Sequence, residues 1–376
     1  MNELQSQTIS WLRFALVMMV LLVHVHPDAN PNFVGMGHLA DGSPAQAAYT
    51  AGVSALFVIC NVSVPLFFFI SGFLFFTEAG AWTWGTWRSK LKRRVYTLLV
   101  PYLAYNLVSA ANGYLMQAID PTFTVAWDNP SAWPFIGEFW NSTTACAGMT
   151  NVLGFSMQLY YPADVPLWFV RDLMMMVLLS PAIYYLLMHG ERLYLPLVAV
   201  LYVCGAGATL PGLSTNALLF FSLGAFFRLR GVDVVQFARK SRWGWLTAGL
   251  VLLVFSTACY EERYAQLLHQ AFYIAGIFVL ILLASALIER KWVAVHPLLV
   301  KSSFFVFAAH MVPVDHGSLL SLGGSVARLV FPMESIGGAV AGYAFAACFI
   351  AGTGVLLYSA LGKFTPGLLK ILSGGR

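Results

Sequence analysis

The sequence predicts an all-α polytopic membrane protein of about ten transmembrane helices, with both termini on the cytoplasmic side. Three observations carry that prediction. Of the 376 residues, 59% are hydrophobic and 10% charged, against about a quarter charged in soluble domains, and mean hydropathy is +0.74. The apolar residues gather into segments near the ~20 residues that cross a bilayer as a helix. Lys and Arg concentrate in alternate loops, as membrane orientation requires.

Taken in order, the apolar segments run approximately 9–27, 48–76, 95–117, 166–188, 193–210, 215–229, 243–260, 270–288, 302–321 and 337–360. The fifth and sixth are short and are separated by the turn PGLSTN. With a cytoplasmic N-terminus, the inner loops hold 17 of the 21 basic residues, among them Arg88, Lys90, Lys92, Arg93 and Arg94 in the first. Only Arg263 and Arg328 fall outside, while Arg13 and Arg171 lie in or beside spans. An odd number of spans breaks this alternation. The net charge of +5 therefore reflects membrane orientation and is no sign of nucleic-acid binding. The first segment carries an internal Arg, two His and no small-residue cleavage site, so it reads as a retained span rather than a cleaved leader.

The pattern describes one membrane domain over 1–376 with no appended soluble domain. The outer loop at roughly 118–165 is too long for a simple connection and is rich in aromatic residues. Its apolar stretch TNVLGFSMQLYY is expected to lie in the interface or dip into the bilayer. Five scattered cysteines with no CxxC or Cys/His cluster give neither a disulfide framework nor a metal site.

Arg13 and His24 are the most informative pair. Ionisable groups at membrane depth are costly and usually face a bundle interior or a water-filled cavity. Eleven helical steps bring His24 to within roughly 20° of Arg13 and about 16 Å further along the axis, so both address one interior. Neutral His is the usual general base at physiological pH, and His24 is the best-placed candidate. His26 points elsewhere on the helix. For Arg13 the alternatives are an anion or carbonyl in the bundle and a side chain snorkelling to the inner interface.

Other polar groups have structural alternatives beside functional ones. Trp168, Arg171 and Asp172 share a face at the outer end of span four, where they either form a structural pair or orient an acceptor. Ser71 and Gly72 mark a close helix contact. His310 and Asp315 fall in the outer half of span nine, where hydrogen bonding within the bundle is the preferred reading.

The spacing of Arg13 and His24 resembles the signature of the acyltransferase-3 family of integral membrane acyltransferases. The segments VPLFFFISGFLFF (64–76), KLKRRVYTLLVPY (90–102), PLWFVRDLMM (166–175) and SFFVFAAHMVP (303–313) are similar to further motifs of that family in the same order. The resemblance covers nearly the whole chain. It implies transfer of an acyl group, most often acetyl, from cytoplasmic acyl-CoA to a hydroxyl of a sugar, exopolysaccharide or lipid-linked glycan. It also implies that His24 and Arg13 are catalytic, with Arg13 near the donor. Lys90 and Arg93, on one helix face, and the adjacent Arg94 would hold the CoA phosphates; positive-inside anchoring accounts for part of the same cluster. The family pattern has two arginines at this spacing, and here the first is Lys90. Ser71 and Gly72 would then sit beside the donor arm.

The expectation is an acyl-CoA-dependent O-acyltransferase of the bacterial inner membrane, with the lipid bilayer as solvent, no nucleic-acid partner and no metal. Outer loops rich in aromatic rings and carboxylates favour a neutral or N-acetylated glycan as acceptor. The alternative is a glycan or lipid transporter or flippase whose Arg and His line a pathway. The internal repeats and paired broken spans common in transporters are not evident in the sequence. The oligomeric state stays open.

Overall fold

The computed structural model describes residues 1–25, 43–77, 82–119, 137, 139–140, 146–152, 155–207, 209–260, 264–312, 318–333 and 335–375. These form α1 (Glu3–His24), α2 (Pro44–Cys60), α3 (Ser63–Phe75), α4 (Trp84–Arg94), α5 (Val100–Ile119), α6 (Trp168–His189), α7 (Glu191–Val203) and α8 (Thr215–Leu229). The chain continues with α9 (Val234–Lys240), α10 (Arg242–Ala258), α11 (Ala265–Glu289), α12 (Pro297–Ala309), α13 (Leu319–Val330), α14 (Ile336–Phe364) and α15 (Pro366–Ser373). His26, Asp315 and the acidic residues Asp28, Asp41, Asp120, Asp128, Glu138, Glu261, Glu262 and Glu334 lie outside the described residues.

The all-α class holds. Among the described residues, five helical stretches are long and apolar enough to cross a membrane: 3–24, 44–75, 165–189, 265–289 and 336–364. Four shorter apolar helices, α8, α10, α12 and α13, accompany them. Large apolar side chains such as Leu246, Leu250 and Val254 on α10 are exposed along one stripe, as on a surface that meets lipid.

Three expected spans are built differently, each for a local reason. The segment expected over 48–76 is two helices. The Asn61 side chain donates to the Phe57 carbonyl at 2.8 Å, competing with the backbone ladder, and Pro65 has no N–H to offer the Asn61 carbonyl. The segment over 95–117 begins with a π-helical turn, Val95–Leu99, because Pro101 lacks the N–H that an α-helix would aim at the Thr97 carbonyl. The span over 302–321 is not continuous: α12 starts earlier, at Pro297, and ends at Ala309, and α13 follows separately. The sequence places Pro313 between them, and the residue before a proline disfavours helix.

The described residues in and just before the apolar stretch TNVLGFSMQLYY form an antiparallel strand pair. Cys146–Val152 pairs with Phe155–Tyr160, with Val152 opposite Phe155 and an irregularity between Cys146 and Gly148. A second, two-residue pairing joins Thr209–Leu210 to Leu213–Ser214.

Two contacts position the site. α1 is ringed by α2, α3, α11, α12 and α14, which places its Arg13–His24 face inside the bundle. α3 and α8 cross closely, because a Cβ at Gly72 would fall on the Phe221 carbonyl and one at Gly224 on the Phe69 carbonyl. These are backbone obstacles that no side-chain rotation relieves. Gly72→Val is accordingly expected to cost about 3 kcal/mol, read as a lower melting temperature and a lower yield of folded protein. Gly52→Ala on α2, where nothing lies within 4 Å, should be silent in the same assay.

Both ends of the described chain lie at one end of the bundle. Met1, Asn2 and Gln5 share a small cavity with Arg228 and Asp233, and Gly374 and Gly375 lie with Lys90 and Arg93 around a larger one.

Candidate active site

The larger cavity, of about 550 Å³, lies between α1, α3, α4, α6 and α12. Arg13, Lys90, Arg93 and Arg94 line one part of it. Among the described residues no carboxylate is within ion-pair distance of these four cations. Uncompensated positive charge in a partly buried cleft attracts an anion. Lys90 donates to the Phe75 carbonyl, and its ammonium lies 5.6 Å from the Phe75 ring centroid. Burial, with the neighbouring Arg94 and Arg228, brings the Lys90 ammonium down to about 8. The Arg94 guanidinium stands 5.9 Å from the Phe75 ring centroid.

The C-terminal residues complete this end. Gly374 adopts φ 66°, in the left-handed region where glycine is favoured. A Cβ there would meet the Thr97 carbonyl at 2.6 Å. The tail thus presses on the π-helical turn, which itself lines the cavity through Thr97 and Leu98.

The direction of each helix gives the cavity its polarity. Along α3 the lining runs from Phe67 through Ser71 to Phe75, beside Lys90; along α12 it runs from Val300 to Phe307. Seven helical residues are about 10 Å. At the end away from the cations stand Phe67, Phe169 and Phe307. Their ring centroids are 5.7 Å apart for Phe67–Phe169, 6.3 Å for Phe67–Phe307 and 5.8 Å for Phe169–Phe307.

Beyond the rings lies a histidine pair that local pattern does not reveal. His24 Nδ1 and His310 Nε2 are 3.1 Å apart, with ring centroids at 4.9 Å. His310 is fully buried, and its Nδ1 is 2.5 Å from the Phe307 carbonyl. A carbonyl only accepts, so His310 Nδ1 carries a proton. In the neutral ring Nε2 is then bare and accepts from His24 Nδ1–H. The His24 ring also hydrogen-bonds the Val20 backbone, so its single N–H is shared between the Val20 carbonyl and His310 Nε2; with that proton on Nδ1, Nε2 carries the lone pair. Tyr343 on α14 fixes this end of α1 by donating to the Leu22 carbonyl at 2.6 Å. The described residues that line the cavity include neither His24 nor His310.

Arg13, Ser71, Lys90, Arg93 and Arg94 therefore share one cavity, while His24 and His310 share a second position beyond the aromatic rings. Gly72 serves the α3–α8 crossing. Trp168, Arg171 and Asp172 are gathered elsewhere. Arg171 Nε is 3.4 Å from Asp172 Oδ1, and Arg171 Nη1 donates to the Trp140 carbonyl at 2.6 Å. Asp172 Oδ1 accepts from the Gly212 N–H at 3.0 Å, and Trp168 has the Tyr161 ring at 6.4 Å. This buried pair fastens residue 140 and the turn at Gly212 onto α6, and none of the three residues lines the cavity.

Asp164 is a further buried group that sequence reading placed only among outer-loop acids. It is fully buried, and its N–H donates to Asn106 Oδ1 at 2.9 Å. Among the described residues neither carboxyl oxygen has a hydrogen-bond partner, and burial holds the carboxyl well above the ordinary carboxylate range. A carboxyl whose folded value is raised makes stability fall as pH climbs past its unfolded value of about 3.9. Asp164→Asn is expected to flatten that slope between about pH 4.5 and 7.5 and to gain ~1 kcal/mol at the upper end, measured by thermal melts in detergent.

These features define a polytopic helical membrane protein built around a cavity with a cationic mouth and an aromatic end, beyond which two histidines are paired. A family model described as an acyltransferase domain matches residues 7–362, and the chain belongs to the acyltransferase-3 family. It is 28% identical over 259 residues to the succinoglycan biosynthesis protein ExoH of Rhizobium meliloti (strain 1021), a match covering 66% of this chain and 62% of that protein. The chain thus spans less than two thirds of that relative's length. No solved structure matches.

Proposed function

We propose that this protein transfers an acyl group, acetyl in the simplest case, from acyl-CoA to a hydroxyl of a polysaccharide or lipid-linked glycan. The cationic mouth faces the cytoplasm of a bacterial inner membrane in this reading, and the histidine end meets the acceptor. One observation carries it: four cations without acidic partners among the described residues line a cavity whose aromatic end, at Phe307, is joined by hydrogen bonding to the pair His310–His24. A polyanionic donor with a long neutral arm suits that sequence of surfaces. The name of the relative, a succinoglycan biosynthesis protein, supports a polysaccharide acceptor.

The acceptor hydroxyl gives its proton to His24 Nε2, and its oxygen attacks the thioester carbonyl carbon. The C–S bond then breaks, an ester remains, and the departing CoA thiolate takes a proton. His24 Nδ1–H, held by His310 Nε2, keeps Nε2 aimed and bare, and the charge that develops on the His24 ring is shared along that hydrogen bond. His310 here stands where a carboxylate often orients a catalytic histidine. Arg13 and the α4 cations bind the donor phosphates and leave the chemistry to the other end.

The test is mass spectrometry of envelope polysaccharides from cells with and without the protein, paired with equilibrium binding of acetyl-CoA to the purified protein in lipid nanodiscs. One species gaining an acyl mass supports the reading; no donor binding and no mass difference defeats it. A pH series probes the mouth. Lys90 is charged below about 8 and neutral above it, so donor affinity is expected to fall by up to ~10-fold by about pH 9. Lys90→Arg, which stays charged, should remove that dependence.

A further inference from the structure

The cations of the mouth stand on a helix of unusual register. α4, the π-helical turn Val95–Leu99 and α5 follow one another without a break, and Arg94 is the residue that enters the turn. A π-turn holds one residue more than an α-turn, and one residue is about 100° of rotation. The turn therefore sets which face of α4 meets the cavity, while α5 is held in the bundle by its buried Tyr102, Tyr105 and Asn106. On relaxing to α geometry, the turn would swing Lys90, Arg93 and Arg94 by that angle, away from the cavity they line. Pro101 disfavours the α alternative from within the helix.

A second support comes from outside it. α15 packs on α5, α12 and α14, with Leu369 and Ser373 buried. It carries the buried Gly374 onto the backbone of Thr97, the middle residue of the turn. A Cβ at Gly374 would meet the Thr97 carbonyl oxygen at 2.6 Å, its Cα at 2.9 Å and its carbonyl carbon at 3.0 Å. The φ of 66° at Gly374 also favours glycine. Backbone thus presses on backbone, with no flexible side chain between them to give way. Resting on the donor reading above, we infer that Gly374 is a positioning residue. Carried by α15, its bare backbone clamps the π-helical turn and so keeps the α4 cations turned toward the donor phosphates. Arg13 reaches the cavity from α1 and stands outside this device.

Equilibrium binding of acetyl-CoA in lipid nanodiscs tests the clamp through double-mutant cycles. Gly374→Ala should weaken binding about 10-fold, the low end of what one charge-assisted contact contributes. Added to Arg94→Ala it should cost little more, because the displaced cation is already gone. Added to Arg13→Ala, its loss should multiply in full. A variant that merely lowers the folded fraction multiplies with both, so the split separates positioning from destabilisation. Gly367→Ala on α15, with nothing within 4 Å of the new methyl, should bind as the wild type does. Leu369→Ala loosens α15 from outside the cavity lining and should show the same split more weakly; it takes the place of Gly374→Ala if that protein does not fold. Amide hydrogen exchange over 95–99 should quicken in both variants. Wild-type affinity in Gly374→Ala, or a loss that multiplies with Arg94→Ala as fully as with Arg13→Ala, overturns the clamp and leaves the donor reading standing. Failure of the wild type to bind acetyl-CoA overturns the donor reading and the clamp with it.

Discussion

Replacing His24 by alanine is expected to lower acyl transfer by about three orders of magnitude while acetyl-CoA binding stays near the wild-type level. General-base catalysis contributes roughly 10²–10⁴ in rate, and His24 does not line the donor cavity, so kcat should fall without a matching change in donor affinity. His310 makes the prediction sharper. It lies 3.1 Å from His24 and, in the proposed mechanism, acts by positioning it. His310→Gln keeps an acceptor for His24 Nδ1–H and should lose about 10-fold, whereas His310→Phe removes it and should lose about 100-fold. The two His310 variants should also differ in the pH profile of kcat, because only one of them still holds the His24 proton in place. A His24→Ala protein that folds and keeps a third of its activity would remove His24 from the chemistry.

The pair also shows where the sequence is legible and where it stops. Arg13 and His24 are eleven residues apart on one helix, so helical geometry alone puts them on one face, and both do face the interior. The basic segment at 90–94 was equally readable, since charge in a short loop reports directly on its surroundings. His24 and His310 are 286 positions apart, and no periodicity links them. The available signal was that SFFVFAAH ends an apolar run with a histidine, which an interior must accommodate. Helix breaks were also hidden. Hydropathy runs straight through Asn61 and Pro101, and what breaks the helix is competition for backbone hydrogen bonds. The strand pairing of Cys146–Val152 with Phe155–Tyr160 is not legible in the sequence, because an apolar stretch is compatible with several local structures. Asp164 could not be seen as buried, because its surroundings include Asn106 of α5, 58 positions away.

Arg13→Ala is expected to weaken donor binding by about 10- to 100-fold, the second large effect after loss of His24. A charge-assisted contact is worth roughly 1.5–3 kcal/mol, and no carboxylate among the described residues competes for Arg13. Snorkelling would predict otherwise: an arginine that only anchored α1 at the interface could be replaced at little cost to binding. Arg13 lines the same cavity as Arg93 and Arg94 but reaches it from α1 rather than α4, so in the proposed complex it contacts the donor independently of the α4 cations. Arg13→Lys keeps the charge and loses the planar fork; it should recover part of the affinity if charge dominates and little if bidentate geometry does. Raising the salt concentration should weaken wild-type binding more steeply than binding to Arg13→Ala, because one ionic contact has been removed. Binding of acetyl-CoA by Arg13→Ala at wild-type strength, with the same salt dependence, would return Arg13 to a purely anchoring role and leave the donor phosphates to α4 alone.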